Sequence, residues 1–253
     1  VTALLTSPPR KEFKSFHNFP IVSNLEDLEA DIAILGIPYG DPYSTAEVAN
    51  DQSFAPNHVR RYFERSLRGL DRYDFDIGGE LLNGENIKVV DCGDVLADPR
   101  DVAGNHNRSE TTVRKILDAG ALPIILGGDH SVPIPVFRAL ENHGPITLIQ
   151  VDAHIDWRDI LHGVKYGLSS VIRRASEMPH INDIFQIGLR SAGSARLEEV
   201  EAARNYGANL ISDIELQDVG MQDILNRIPD DQNYYLTIDA DGIDPSIMPA
   251  VAG

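Results

Sequence analysis

At 253 residues the chain is long enough for one large α/β domain with a buried core, and its 42% hydrophobic and 24% charged residues are ordinary for a globular protein. The formal net charge of −17 argues against nucleic acid or an anionic membrane surface as partner, and is compatible with a cationic substrate or bound divalent ions. A single cysteine, Cys92, excludes an internal disulfide and fits a reducing, cytoplasmic compartment; no apolar run reaches membrane-spanning length, and Val1-Thr2-Ala3-Leu4-Leu5 lacks the cationic start of a signal peptide.

Residues 1–30 are Pro-rich and read as an arm over the surface. Residues 31–38 form the first predicted strand, halted by Pro38-Tyr39-Gly40-Asp41-Pro42. Residues 41–56 have little periodicity and are expected to be a long loop at that strand's carboxyl end. Residues 57–67 fit a basic amphipathic helix with Val59, Tyr62 and Phe63 inward, and 87–94 a strand and turn. A helix over 109–119 carries Val113, Ile116 and Leu117 on one face, with Ser109 at its start and Gly120 past its end. Strand 122–126, helix 132–142, strand 146–152 and strand 184–188 follow. Then come a helix over 197–206 closed by Gly207, the apolar pair Leu210-Ile211, a helix over 221–228 and a strand opening at Tyr234. Strands alternating with helices predict a mainly parallel sheet covered by helices on both faces, and the absence of repeats or breaks predicts a single domain over 1–253.

The chemistry concentrates in Val151-Asp152-Ala153-His154-Ile155-Asp156, after the apolar run Ile146-Thr147-Leu148-Ile149-Gln150. Read as a strand, it points Asp152, His154 and Asp156 to one side, where three ionisable groups resist burial unless a cation holds them. Gly127-Gly128-Asp129-His130 and Thr237-Ile238-Asp239-Ala240-Asp241 repeat the design after two other apolar runs. His130, Asp152, His154, Asp156, Asp239 and Asp241 thus all fall at strand carboxyl ends, where parallel sheets bind ligands. Four carboxylates and two imidazoles suit divalent ions, Mn²⁺ over Zn²⁺. Six donors exceed the needs of one catalytic ion and suit two, about 3.5 Å apart with bridging carboxylates. Charge balance then leaves room for one bridging hydroxide, since metal binding lowers the water pKa towards roughly 7. The implied chemistry is hydrolysis at an electrophilic carbon.

Gly-Gly-Asp-His-Ser at 127–131, Asp-Ala-His-Ile-Asp at 152–156 and Ile-Asp-Ala-Asp-Gly-Ile-Asp-Pro at 238–245 resemble, in order and spacing, the three signatures of the arginase/agmatinase (ureohydrolase) family. Leu35-Gly36-Ile37-Pro38, Asp91-Cys92-Gly93-Asp94 and Gln186-Ile187-Gly188-Leu189-Arg190 support the likeness. It implies the arginase-type three-layer α/β fold, a dinuclear manganese centre, a cyclic homo-oligomer (trimer or hexamer) and hydrolysis of a guanidino compound to urea and an amine. Carried over, His130, Asp152, Asp156 and Asp239 hold one ion and His154, Asp152, Asp239 and Asp241 the other, with Asp152 and Asp239 bridging. His162, in His162-Gly163, aligns with the family's proton shuttle, with Tyr166-Gly167 as the competing alignment. Arg158 stands where arginases carry a short polar residue that helps bind substrate, and Ser191 where they carry Asp; both argue against arginine as substrate. A cation at Arg158 favours a guanidino acid over agmatine. The family's Gly-Thr/Pro-Glu-Pro segment has no counterpart here, so part of the pocket and a final helix and strand are expected to be missing after 253.

Plainer readings accompany these. His17, His58, His106, His143 and His180 are read as surface or hydrogen-bonded groups, Asp129 as a helix cap or a support for the ligands, and Asp244-Pro245 as a turn. Trp157, beside Asp156, is read as packing ahead of substrate stacking. Arg173-Arg174 is read as a solvated or salt-bridged helix face, and Glu198-Glu199-Glu201 as a solvated one. Two rivals to an agmatinase-type enzyme are a formimidoyl-amino-acid hydrolase on the same fold, releasing formamide, and a catalytically silent relative that keeps the metals.

Overall fold

The computed structural model describes residues 5–7, 15–44, 51–64, 72–230 and 232–249. The remainder of the 1–30 arm, residues 45–50 of the expected loop, the end of the helix expected over 57–67, the side chain of Phe63 and the chain end at 253 lie outside the described residues. The chain divides into two units, Val1–Gly40 with Val48–Pro135, and Asp41–Glu47 with Val136–Gly253. The parallel strands lie in two four-stranded sheets, one in each unit, the first of which also holds one antiparallel strand.

The first unit's sheet holds β1 (Thr6–Ser7), β2 (Ile32–Gly36), β5 (Val89–Val95) and β6 (Leu122–Leu126) in the order β1-β5-β2-β6; β3 (Tyr73–Asp74) and β4 (Gly79–Glu80) form a separate exposed hairpin. β2 lies parallel to both neighbours, and β1, drawn from the arm, pairs antiparallel with β5. Ala33, Ile34 and Leu35 are buried on both faces of β2, as a central parallel strand requires. All seven residues of β5 are buried, Cys92 among them; burial, with Asp91 beside it, pushes that thiol up to about 12.

Two helices belong to this unit. α1 (Ala55–Glu64) turns a different face inward from the expected one: Val59 and Tyr62 are exposed, whereas Asn57 and Arg60 are buried. The Arg60 guanidinium grips Asp91 through two bonds of 2.8 and 2.9 Å and reaches Asp94 at 2.6 Å, so a polar pairing overrides the apolar pattern. α2 (Val102–Asp118) starts seven residues before Ser109, capped by Asp101, which accepts from Gly104 N at 2.9 Å. Ser109 is buried within the helix, its hydroxyl 3.0 Å from that of Tyr39, and Gly120 ends the segment at φ 81°.

After α3 (Pro133–Ala139), the second unit's sheet runs β10-β7-β8-β9, all parallel: β7 (Ile146–Val151), β8 (Ile181–Leu189), β9 (Asn209–Ser212) and β10 (Asn233–Ile238). Its helices are α4 (Val171–Ala175), α5 (Leu197–Tyr206), α6 (Asp213–Val219) and α7 (Met221–Leu225). α5 spans the expected residues and ends on Gly207 at φ 98°. Phe185, Ile187, Ile211, Ile224 and Ile228 form a buried cluster, with Ile149 and Leu216 packed against it. Glu199 is buried rather than solvated: it caps the start of α5 by accepting from Arg196 N and also pairs with Arg158. Arg174 is buried too, pairing with Asp159 at 2.5 Å and Glu177 at 3.2 Å. Among the described residues no helix is long and apolar enough to cross a membrane.

Candidate metal centre

Register brings the second and third motifs side by side. β10 pairs with β7 so that Ile238 lies opposite Val151, and Asp239 N donates to Val151 O at 2.9 Å. Asp152 and Asp239 therefore leave adjacent parallel strands at the same level. Asp152, His154 and Asp241 each offer a ligand atom within 4.8 Å of one another. His154 Nδ1 is 3.1 Å from Asp241 Oδ2 and 3.5 Å from Asp152 Oδ1.

This convergence does not arise as the sequence suggests. The strand ends at Val151, and residues 152–156 form an irregular turn in which alternation of faces no longer holds. Asp152 Oδ1 instead accepts from His154 N at 2.7 Å, drawing the His154 backbone back towards the Asp152 carboxylate. Asp156 adopts a left-handed φ of 49°, and its carbonyl accepts from Ile172 N and Arg173 N, both at 3.2 Å. Its carboxylate shares a donor with Asp152: Gln150 Nε2 lies 2.6 Å from Asp152 Oδ2 and 3.4 Å from Asp156 Oδ2.

Asp239 caps a single turn over Ala240–Gly242, accepting from Asp241 N at 3.0 Å, and Asp241 Oδ1 accepts from Ala153 N at 3.2 Å. Arg190 clamps this turn from β8, its guanidinium donating to the carbonyls of Asp241, Gly242 and Ile243. In the first unit, His130 stands in the turn after β6. Asp129 there accepts from Ser131 N at 2.8 Å, which makes it a turn-closing group.

The electrostatics are those of crowded carboxylates. The hydrogen bond with Asp152, helped by the nearby Asp241, holds the His154 imidazole up at about 9. Burial, then the charges of Asp239 and Asp152, push the Asp241 carboxyl up to about 6. Carboxylate oxygens and one imidazole nitrogen within a few ångströms are the donor set that a divalent ion takes, so these residues fit such a group.

Residues 30–253 match the Arginase family. The chain belongs to that family. It is 30% identical over 222 residues to the agmatinase of Bacillus anthracis, covering 87% of this chain and 71% of that protein. It is 31% identical over 237 residues to the guanidinobutyrase of Pseudomonas aeruginosa, covering 91% and 71%. Among solved structures, the agmatine ureohydrolase of Thermoplasma volcanium superposes with a TM-score of 0.73 at 30% identity, covering 91% of this chain and 73% of that one. The chain is an arginase-fold hydrolase, an agmatinase-like ureohydrolase.

Other residues expected at this ureohydrolase's site lie as follows. His162 and Gly163, at φ 50° and 84°, form the exposed tip of a tight turn closed by reciprocal Leu161 and Val164 backbone bonds. In the competing Tyr166-Gly167 pair, Gly167 is buried while the Tyr166 ring is exposed on one side and lies under Arg138 at 4.9 Å. Arg158 is not a free cation; its Nε pairs with Glu199 at 3.0 Å and the pair is largely buried, so a preference for acidic substrates does not follow from it. Trp157 is 2% exposed and packs against Tyr206 with ring centroids 5.7 Å apart, the packing side of its two readings. Ser191 is exposed, in a left-handed turn at φ 68°. Sequence reasoning gave no role to Gln150 or Gln186, although an amide inside a buried strand is the available signal.

Proposed function

We propose that this ureohydrolase cleaves a linear guanidino compound, agmatine or a guanidino acid such as guanidinobutyrate, to urea and the corresponding amine. The observation that carries the proposal is the convergence of Asp152, His154 and Asp241 on motifs held in a family whose relatives include an agmatinase and a guanidinobutyrase. In this reading Asp152, His154, Asp156, Asp239 and Asp241 hold two divalent ions, Mn²⁺ by donor type, and the family relation adds His130. Once bound, such ions would supply a water ionised near neutral pH to attack the guanidinium carbon.

The chain's own residues do the rest. Asp152 and Asp239 present carboxylates at one level because their strands are in register, and Arg190 fixes the turn that carries Asp241. The chain's formal net charge of −17 favours the approach of a guanidinium cation. The departing amine needs a proton, which His162 donates in this proposal.

The test is product analysis with Mn²⁺-loaded protein across agmatine, guanidinobutyrate, guanidinopropionate, arginine and a formimidoyl amino acid. Urea with the matching amine supports the proposal. Formamide from a formimidoyl amino acid, or Mn²⁺ binding without turnover on the whole panel, overturns it.

A further inference from the structure

Two buried glutamines stand where apolar side chains would suffice. Gln150 on β7 and Gln186 on β8 are each 0% exposed and lie opposite each other in the parallel register. We propose that they form an amide relay that aims the carboxylates of Asp152 and Asp156 at the bound ions; the inference rests on the metal-dependent reading above.

The direction of the relay follows from the acceptors at each end. Gln150 Nε2 faces two carboxylates, Asp152 Oδ2 at 2.6 Å and Asp156 Oδ2 at 3.4 Å, so its nitrogen must be on that side. Gln150 Oε1 accepts from Gln186 Nε2, which also donates to Ile155 O at 2.7 Å. Gln186 therefore pins the backbone between His154 and Asp156, while Gln150 pins the carboxylates on either side of that stretch. Gln186 Oε1 is left buried with no hydrogen bond, a departure from the rule that interiors satisfy polar groups. Such departures gather at functional sites.

The choice of amide has a chemical reason. A Lys or Arg at 150 would orient the same carboxylates but would neutralise the charge that attracts a dication. A neutral N–H orients them and leaves that charge in place, and each oxygen keeps a lone pair for an ion. Gln150 and Gln186 are thus positioning residues, acting through the carboxylates and the Ile155 carbonyl rather than as ligands.

The experiment is Mn²⁺ titration of metal-stripped full chain by calorimetry, with kcat, KM and the metal-free Tm measured on the same samples. Gln150→Met keeps the length and removes the donors, and should weaken Mn²⁺ binding about 10–100-fold. Gln186→Met should weaken it less, and the double variant by less than the sum of the two losses, because Gln186 acts in part through Gln150 and in part on Ile155 O. KM measured at saturating Mn²⁺ should stay within about twofold of the parent, as expected where lost metal binding rather than lost substrate contact is responsible. Should Gln150→Met fail to fold, Gln186→Met reads out the same relay. A parent chain that binds and turns over normally, beside a folded variant of unchanged Mn²⁺ affinity, overturns the relay alone. Strictly additive losses in the double variant also overturn it. A parent that binds no divalent ion overturns the relay and the metal-dependent reading together.

Discussion

Gly242 lets the third motif lie against the second. A Cβ there would stand 2.7 Å from Asp152 N and from the carbonyl carbon and oxygen of Val151, all of them backbone atoms with no freedom to swing aside. Gly242→Ala should therefore displace the turn that carries Asp241 and cost about 1–3 kcal/mol, read as a lowered urea midpoint together with weaker Mn²⁺ binding. His162 is a separate matter, because its place on an exposed turn leaves the fold independent of it. His162→Ala should lower kcat by about 10²–10⁴-fold with Mn²⁺ affinity unchanged, and an unaltered kcat would remove it as proton donor. At this scale the sequence led to Asp152, His154 and Asp156 through their spacing. The period-2 argument for that spacing does not describe them, because the strand stops at Val151 and a side-chain hydrogen bond to His154 N takes over. Arg158 shows the opposite limit. Its partner Glu199 lies 41 residues away, so local pattern gives no hint that its charge is already engaged.

Among the elements, α1 shows why hydrophobic periodicity misleads when a helix docks through polar groups. Arg60 is fully buried because Asp91 and Asp94, both on β5, supply three carboxylate contacts to it. Arg60→Met removes the cation and leaves two carboxylates facing each other, and should destabilise the protein by about 3–5 kcal/mol in urea unfolding. A loss below about 1 kcal/mol would show that these carboxylates find other partners. The Asp91-Cys92-Gly93-Asp94 stretch is visible in the sequence as a family likeness, but its task of holding α1 is visible only once β5 and α1 lie together. Elements with strong caps and clear periods, such as α5 and β2, are legible within a residue or two. α4, α6 and the β3–β4 hairpin are too short or too exposed to give a period.

For the whole molecule, sheet order decides which strands are edges, and order is what single-sequence patterning reports least. Among the described residues β10 ends the second unit's sheet, and Leu236 and Ile238 on it are 56% and 58% exposed. An apolar edge strand of this kind invites pairing with another chain. Leu236→Lys should lower concentration-dependent light scattering without altering the circular dichroism spectrum; unchanged scattering would place the sticky surface elsewhere. Alternation of strands and helices was enough to foresee a parallel α/β fold, whereas the division into two sheets depends on pairings that no local run encodes.

Cys92 turns the interior of β5 into a clock. The chain's only thiol is fully buried and is held in its unreactive protonated form by burial beside Asp91, so an aromatic disulfide dye in excess should modify it only while the surrounding strand is open. The labelling rate in native buffer then counts opening events directly, with one signal per molecule and no engineered probe. A dye that reacts within seconds of mixing would mean that β5 breathes far more freely than its packing implies.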